Sequence, residues 1–291
     1  MYTGRTGFFH PLRRPAHAAD EDWQHMRNRR AFLSGFLCIS AFSHYNRGEI
    51  SAKQKRGNAM QLNRLTERVW VYPFEEERDR PNLGYVRGDR WSLAVDAGHS
   101  AAHVREFYAA LQAAGLPLPS LTVLTHWHWD HAFGMHAVHG LCLAGERTNR
   151  HLADFRSRPG AKQELLSAEE RVRREYADGQ PMIVTQADLT LNGEMRLETG
   201  GCSVRVFPAA APHTDDSTLI YLPDEKVLFL GDAACGALPD WKKDPALCRR
   251  LADTIDRTGA DIVLEGHWTP LSRQEQVRDL LSDAEQAEKG V

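Results

Sequence analysis

The sequence predicts an α/β protein in which two β-sheets pack face to face with helices on their outer sides. Three observations predict it. Short apolar runs followed by stretches of helical spacing occur twice along the chain, which is the pattern of two sheets each covered by helices. Several of the apolar runs end on a histidine or an aspartate. The composition, 42% hydrophobic and 26% charged over 291 residues, is that of a chain able to bury a substantial core.

The first 59 residues stand apart. His, Arg, Asn and Ser dominate them, and amphipathic periodicity is missing. The apolar run 31–42 is too short to span a bilayer as a helix, yet it follows Arg29-Arg30 and so resembles a twin-arginine export signal. An acidic stretch precedes it, no small-x-small cleavage site follows it, and Met60 opens a segment that at once has the character of a folded domain. The expectation is therefore an extension over 1–59, disordered or the product of a misassigned start, and one domain over 60–291. Export through the Arg29-Arg30 signal is the alternative to a cytoplasmic location.

From Met60 onward, strand-like runs at 68–72, 83–87 and 92–95 separated by turn residues form a β-meander. Residues 101–114 carry apolar side chains at helical spacing, and Leu121 to Leu124 is a brief apolar strand. Helices are expected at 149–157 and at 167–176, the second with Ser167 as N-cap and Glu170 three residues on. The second half supplies strands at 189–197, 202–207, 218–222 and 226–230, a helix at 245–255, a strand at 262–264 and a charged closing helix.

Charge and cysteine content narrow the function. A net charge of −3 with scattered Lys and Arg offers no basic field for nucleic acid or an anionic membrane, so a small-molecule substrate is expected. The five cysteines, Cys38, Cys142, Cys202, Cys235 and Cys248, are an odd set without a CxxC pair, which indicates neither a disulfide framework nor a thiolate zinc cluster. Oligomeric state is not expressed in any motif. The 14 histidines are the unusual feature, because clustered imidazole is how proteins hold transition metals.

The strongest signal is Thr125-His126-Trp127-His128-Trp129-Asp130-His131, directly after the apolar strand. Such a segment exposes several metal-binding side chains at one sheet edge. Taken singly, His213 or His267 is an ordinary loop histidine, and Asp232 after Leu228-Phe229-Leu230-Gly231 is a turn residue. Their order along the chain, each at the end of an apolar strand, reads otherwise.

This HxHxDH segment, followed in order by His213, Asp232 and His267, resembles the signature of the metallo-β-lactamase superfamily over about residues 60–267. The resemblance implies a four-layer αβ/βα sandwich with two metals at one sheet edge. It implies that His126, His128 and His213 hold the first metal, that Asp130, His131 and His267 hold the second, and that the Asp232 carboxylate bridges them. Asp96, in Val95-Asp96-Ala97-Gly98, matches an aspartate that supports the histidine loop without binding metal. His99, His136 and His139 match no ligand position. Trp127 and Trp129, which alternate with the ligands, are expected to pack in the core.

The implied activity is hydrolysis of an ester, lactone, thioester or amide bond by water held between two metal ions. Zinc is expected, two per chain, with iron or manganese as alternatives, and Asp130 is expected to orient the water and pass on its proton. Departures from the pattern narrow the subfamily. Asp232 stands where the best-known β-lactamases of this fold carry cysteine or serine, and His128 where the di-iron oxygen reductases carry glutamate. The stretch after His267 is too short for the helical substrate domain of glyoxalase II enzymes, and Pro212-His213-Thr214 lacks their glycine. Two rivals remain: a mononuclear-iron oxidoreductase resembling the persulfide dioxygenases, and a phosphodiesterase, for which no basic insertion is visible. Segments 149–182 and 233–243, the latter with Trp241 and Lys242, are expected to shape the substrate pocket.

Overall fold

The computed structural model describes residues 60–289; the expected 1–59 extension and its Arg29-Arg30 signal lie outside them. Strands β1 (Asn63–Arg64), β2 (Val69–Tyr72), β3 (Leu83–Arg87) and β4 (Ser92–Val95) form the antiparallel meander. Helix α1 (Ala101–Ala113) then leads to β5 (Leu121–Val123), the short helix α2 (Trp129–Ala132) and β6 (Leu141–Gly145). Helices α3 (Glu146–Ser157), α4 (Ala161–Ala168) and α5 (Glu170–Glu175) precede β7 (Leu189–Leu191). Strands β4, β5, β6 and β7 are parallel and complete a seven-stranded sheet in the order β1 to β7.

The second half supplies β8 (Met195–Glu198), β9 (Ser203–Pro208), β10 (Thr218–Leu222), β11 (Val227–Gly231), α6 (Pro245–Thr258), β12 (Ile262–Glu265), β13 (Leu271–Ser272) and α7 (Arg273–Lys289). They make a six-stranded sheet ordered β13-β12-β11-β10-β9-β8, antiparallel except for the β11–β12 pair.

Alternation along each strand makes four layers of this. Val69 and Val71 of β2 point to the centre with Val86, Leu93, Val95, Val123 and Leu143, where they meet Val204, Val206, Ile220, Leu222, Val227, Phe229 and Leu264 of the other sheet. The intervening Trp70 and Tyr72 point outward, under Phe107 and Leu111 of α1. On the second sheet Tyr221, Leu228, Leu230 and Val263 point outward against Cys248, Leu251 and Ile255 of α6 and Leu280 of α7. The period of 2 therefore feeds two different apolar layers, and strands such as β2, β10 and β11 are buried on both faces. The αβ/βα sandwich expected from the sequence is the observed architecture.

Local signals set the helices that frame the site. Ser100 caps α1 by accepting from the N–H groups of Ala102 and His103. Asp244 caps α6 in the same way, Pro245 fills the first helical position, and Gly259 closes the helix in the left-handed conformation.

Two local expectations are corrected. The helix expected at 167–176 is two helices, and Ser167 sits in the last turn of α4, where its hydroxyl donates to the Gln163 carbonyl at 2.7 Å instead of capping. The strand expected at 189–197 is two strands in different sheets, β7 and β8, divided by a turn in which Gly193 has φ +93°. Strand β6 and helix α2 were not anticipated as elements. Among the described residues no helix is long and apolar enough to cross a membrane, and the described cysteines Cys142, Cys202, Cys235 and Cys248 are free thiols.

Candidate metal centre

The C-terminal ends of β4, β5, β11 and β12 and the β9–β10 connection converge on one edge of the sandwich. Asp96 leaves β4, residues 124–131 leave β5, Asp232 follows β11, His267 follows β12, and His213 lies between β9 and β10. A parallel strand delivers its C-terminal side chains to the same edge as its neighbour, so the topology itself gathers residues far apart in sequence.

All seven sequence-predicted residues are brought together, in two adjoining groups whose donor atoms lie within 4.8 Å of one another: His126, His128 and His213, then Asp130, His131, Asp232 and His267. Asp232 sits between the groups. Its Oδ1 is 3.3 Å from His131 Nε2, and its Oδ2 is 3.6 Å from His267 Nε2 and 3.9 Å from His213 Nε2. Asp130 Oδ2 is 2.9 Å from His267 Nε2 and 3.2 Å from His131 Nε2.

The surrounding hydrogen bonds fix which ring nitrogen faces inward. His213 Nδ1 donates to the Gly236 carbonyl at 2.8 Å, leaving Nε2 with its lone pair. His131 Nδ1 pairs with Asp96 Oδ2 at 2.7 Å, leaving Nε2. Thr125 spends its hydroxyl proton on the Asp96 carboxylate, so its oxygen accepts from His126 Nδ1 at 3.1 Å, again leaving Nε2. His213 Nε2 lies 3.0 Å from His128 Nδ1, but the other two inward nitrogens, His126 Nε2 and His131 Nε2, and Asp232 Oδ1 are buried without a hydrogen bond. Buried polar atoms left unsatisfied are costly unless something not made of protein completes them, and a cation at the focus of imidazoles and carboxylates does so.

Charge follows the same division. Burial pushes the His126, His128 and His213 pKa values down, and mutual repulsion among imidazoles adds to this for His126 and His128. Three neutral imidazoles suit a transition metal. In the second group burial opposes charge, but it is outweighed: Asp130, Asp232 and Asp96 hold His131 well above its ordinary value, and Asp232 and Asp130 push His267 up to about 9. Conversely, burial alone would raise Asp130 and Asp232, yet His131 and His267 hold both below the usual carboxylate range. The two carboxylates make a place where positive charge is strongly favoured. Both donor sets therefore fit divalent ions.

Asp96 does more than the sequence suggested. It accepts the Thr125 N–H at 2.7 Å, which buttresses the histidine loop, and also orients the His131 ring directly. Gly266 was overlooked. A Cβ there would lie 2.2 Å from Asp232 Oδ1 and 2.7 Å from His131 Cε1, so only glycine lets the chain turn between Glu265 and His267. The signal was the Gly before His267. His99, His136 and His139 are outside both groups, bonded through Nδ1 to the carbonyls of Arg78, Phe133 and Pro119. Trp127 and Trp129 are buried in the layer under α3 and α4, as expected, and the Trp129 ring stacks on His128 while its Nε1 donates to Asp79 at 3.2 Å. A third cluster, His151, Asp215 and Asp216, is partly exposed, but His151 Nε2 pairs with Asp215 at 2.7 Å and Arg147 approaches the same carboxylate.

The family model described as Metallo-beta-lactamase superfamily matches residues 78–280. The chain belongs to the metallo-beta-lactamase superfamily. Relatives within reach of sequence comparison include the acyl-coenzyme A thioesterase MBLAC2 of Bos taurus, 27% identical over 72% of this chain and 81% of that protein. The Homo sapiens protein of the same name is 26% identical over the same shares. Among solved structures, the DIM-1 metallo-beta-lactamase superposes with a TM-score of 0.59 at 20% identity, covering 79% of this chain and 99% of that one. At that identity the likeness speaks for the fold alone. Membership in the superfamily, with the His and Asp groups at its sheet edge, makes the chain a hydrolase with a metal-binding site.

Proposed function

We propose that the protein is a two-zinc hydrolase of thioesters, with acyl-coenzyme A compounds as the substrate class. The observation that carries the two-metal reading is the position of Asp232, whose carboxylate faces both donor groups. Thioesters are preferred among the expected carbonyl substrates because the MBLAC2 relatives bear that activity in their names.

Two zinc ions, one held by His126, His128 and His213 and one by Asp130, His131 and His267 with Asp232 facing both, would lower the pKa of a shared water and polarise the scissile carbonyl. The chain's own residues supply the rest. Asp96 and the Gly236 carbonyl hold His131 and His213 in one tautomer, so that ring orientation is settled before substrate arrives. Asp130 turns Oδ2 toward His131 and His267, which leaves Oδ1 to accept a hydrogen bond from the attacking water and to take its proton. That proton then passes to the departing thiolate. The free thiols Cys142, Cys202, Cys235 and Cys248 suit work in a reducing, cytoplasmic setting.

Metal quantitation on the purified protein, joined to a panel of thioester, lactone, β-lactam and phosphodiester substrates, tests the reading. The expected outcome is two zinc ions per chain and preferential release of coenzyme A, lost to chelators and restored by zinc. One iron per chain with oxygen consumption on a persulfide would replace it with the dioxygenase reading.

A further inference from the structure

Trp241 lies in the 232–244 connection between β11 and α6, and three features hold it in place. The backbone of the loop folds back on itself through the Ala237–Lys242 bridge, with the Ala237 N–H donating to the Lys242 carbonyl at 2.9 Å. The return passes so close that a Cβ on Gly236 would lie 1.9 Å from the Trp241 carbonyl oxygen. Trp241 itself sits at φ +57°, a left-handed conformation that a bulky side chain rarely adopts and that persists only where the surroundings impose it.

The loop is tied to the metal centre at the same point. Gly236, next to the bridge, supplies the carbonyl that accepts from His213 Nδ1. The Trp241 indole then lies over the His213 ring, with centroids 6.1 Å apart and planes 23° from parallel. One face of the indole is thus spent on a residue of the first donor group. The side chain as a whole stays 45% exposed, although a tryptophan is among the side chains that gain most from burial. A second large aromatic, Trp268, follows His267 at the other donor group and is 42% exposed, with its backbone carbonyl held by Asn82. An exposed tryptophan thus lies over one donor group, and a second follows the last residue of the other in sequence.

We propose that the free face of Trp241 is the acyl-binding surface of the enzyme: it takes the first methylenes of the acyl chain beside the scissile carbonyl and so sets chain-length preference. This rests on the thioester reading above. The chemistry that fits is an apolar, flexible chain. A strained backbone holding an indole against a metal-site histidine is a fixed platform, and a fixed platform binds apolar matter without a further ordering cost. An apolar contact of this kind gives a gain of about fourfold for each methylene buried.

The test compares the wild-type protein with Trp241→Ala and Trp241→Phe, all loaded with zinc. Acetyl-, butyryl- and octanoyl-coenzyme A are the substrates, and S-ethyl and S-octyl coenzyme A thioethers are the non-hydrolysed ligands, read by calorimetry. In the wild type, kcat/KM and thioether affinity should rise with chain length. Trp241→Ala should reduce the octanoyl-to-acetyl ratio of kcat/KM about tenfold or more, chiefly through KM, and flatten the thioether series to the same extent, while Trp241→Phe keeps most of the preference. A uniform loss at all lengths, with reduced zinc content, would show that Trp241 only props His213 and would overturn the proposal. So would a wild-type thioether series without chain-length dependence. Failure of the thioester reading has a different signature, namely no coenzyme A release from any substrate by the wild type.

Discussion

Asp96 joins the two ends of the histidine loop: one carboxylate oxygen accepts the Thr125 N–H at 2.7 Å, and the other pairs with His131 Nδ1 at 2.7 Å. A single side chain thereby sets the loop's path and the tautomer of a histidine six residues further on. Asp96→Asn keeps the shape but loses the charge and one acceptor. Both ions should remain bound, with affinity or activity reduced about 10- to 100-fold. Elemental analysis and kcat/KM together decide this, and complete metal loss would show that Asp96 does more than orient.

Gly266→Ala places a methyl group into the space occupied by Asp232 Oδ1 and His131 Cε1. Neither can retreat, because Asp232 lies between the donor groups and His131 is held by Asp96. The expected result is a folded protein whose second ion is held at least ~10-fold more weakly, the magnitude found when a ligand's orientation is disturbed. A zinc titration with a competing chelator would read it; an unchanged affinity would mean that the edge is softer than its packing implies.

The seven candidate ligands were legible in the sequence because six of them follow closely on the apolar strands β5, β11 and β12, whose ends meet at one edge, while His213 lies in the β9–β10 connection. What Asp96 does to His131 was not, since it depends on the β4–β5 register that pairs Val95 with Val123, a fact of tertiary structure. Strand β2 shows why the layers were only half legible. Val69 to Tyr72 are all buried, with valines facing the other sheet and Trp70 and Tyr72 facing α1, so no polar alternation marks inside from outside. The division of 189–197 into two strands did carry a signal, Asn192-Gly193 within the run, of the kind that punctuates a chain.

Arg80 is fully buried against Glu175, at 2.7 Å, and also reaches Glu106 at 2.8 Å. Ser100, the cap of α1, donates to the same Glu175, so the pair fastens the segment before β3 to α1 and α5. Glu175→Leu would leave a buried guanidinium with the half-exposed Glu106 and the more distant Glu75 at 3.7 Å. A stability loss of about 3–5 kcal/mol is expected from urea unfolding. Arg80→Met added to it should recover part of that loss, because the uncompensated charge is then gone; strict additivity of the two substitutions would argue against a coupled pair.

Residues 60–289 hold both sheets and all seven candidate ligands. A chain beginning at Met60 should therefore fold and carry the same metal as the full-length protein. Insolubility of that shorter chain beside a stable full-length protein would assign the first 59 residues a structural part.

Asp232→Asn tests the centre itself. The Asp232 carboxylate faces His131, His267 and His213 from 3.3 to 3.9 Å, so its charge is the one shared by both groups. Two dications at a few ångströms repel each other strongly in a buried setting, and a carboxylate between them offsets that repulsion in a way a neutral amide does not. The three imidazoles of the first group remain complete in the variant and should keep their ion. The second group loses a donor and part of its negative charge, so about half the metal should be lost and turnover should fall to near zero. Asp96→Asn, which removes a charge at the edge of the centre instead of its middle, should keep full metal and a measurable rate. If Asp232→Asn held two ions and turned over near normally, the carboxylate would not bridge, and the two-metal reading would lose the observation on which it stands.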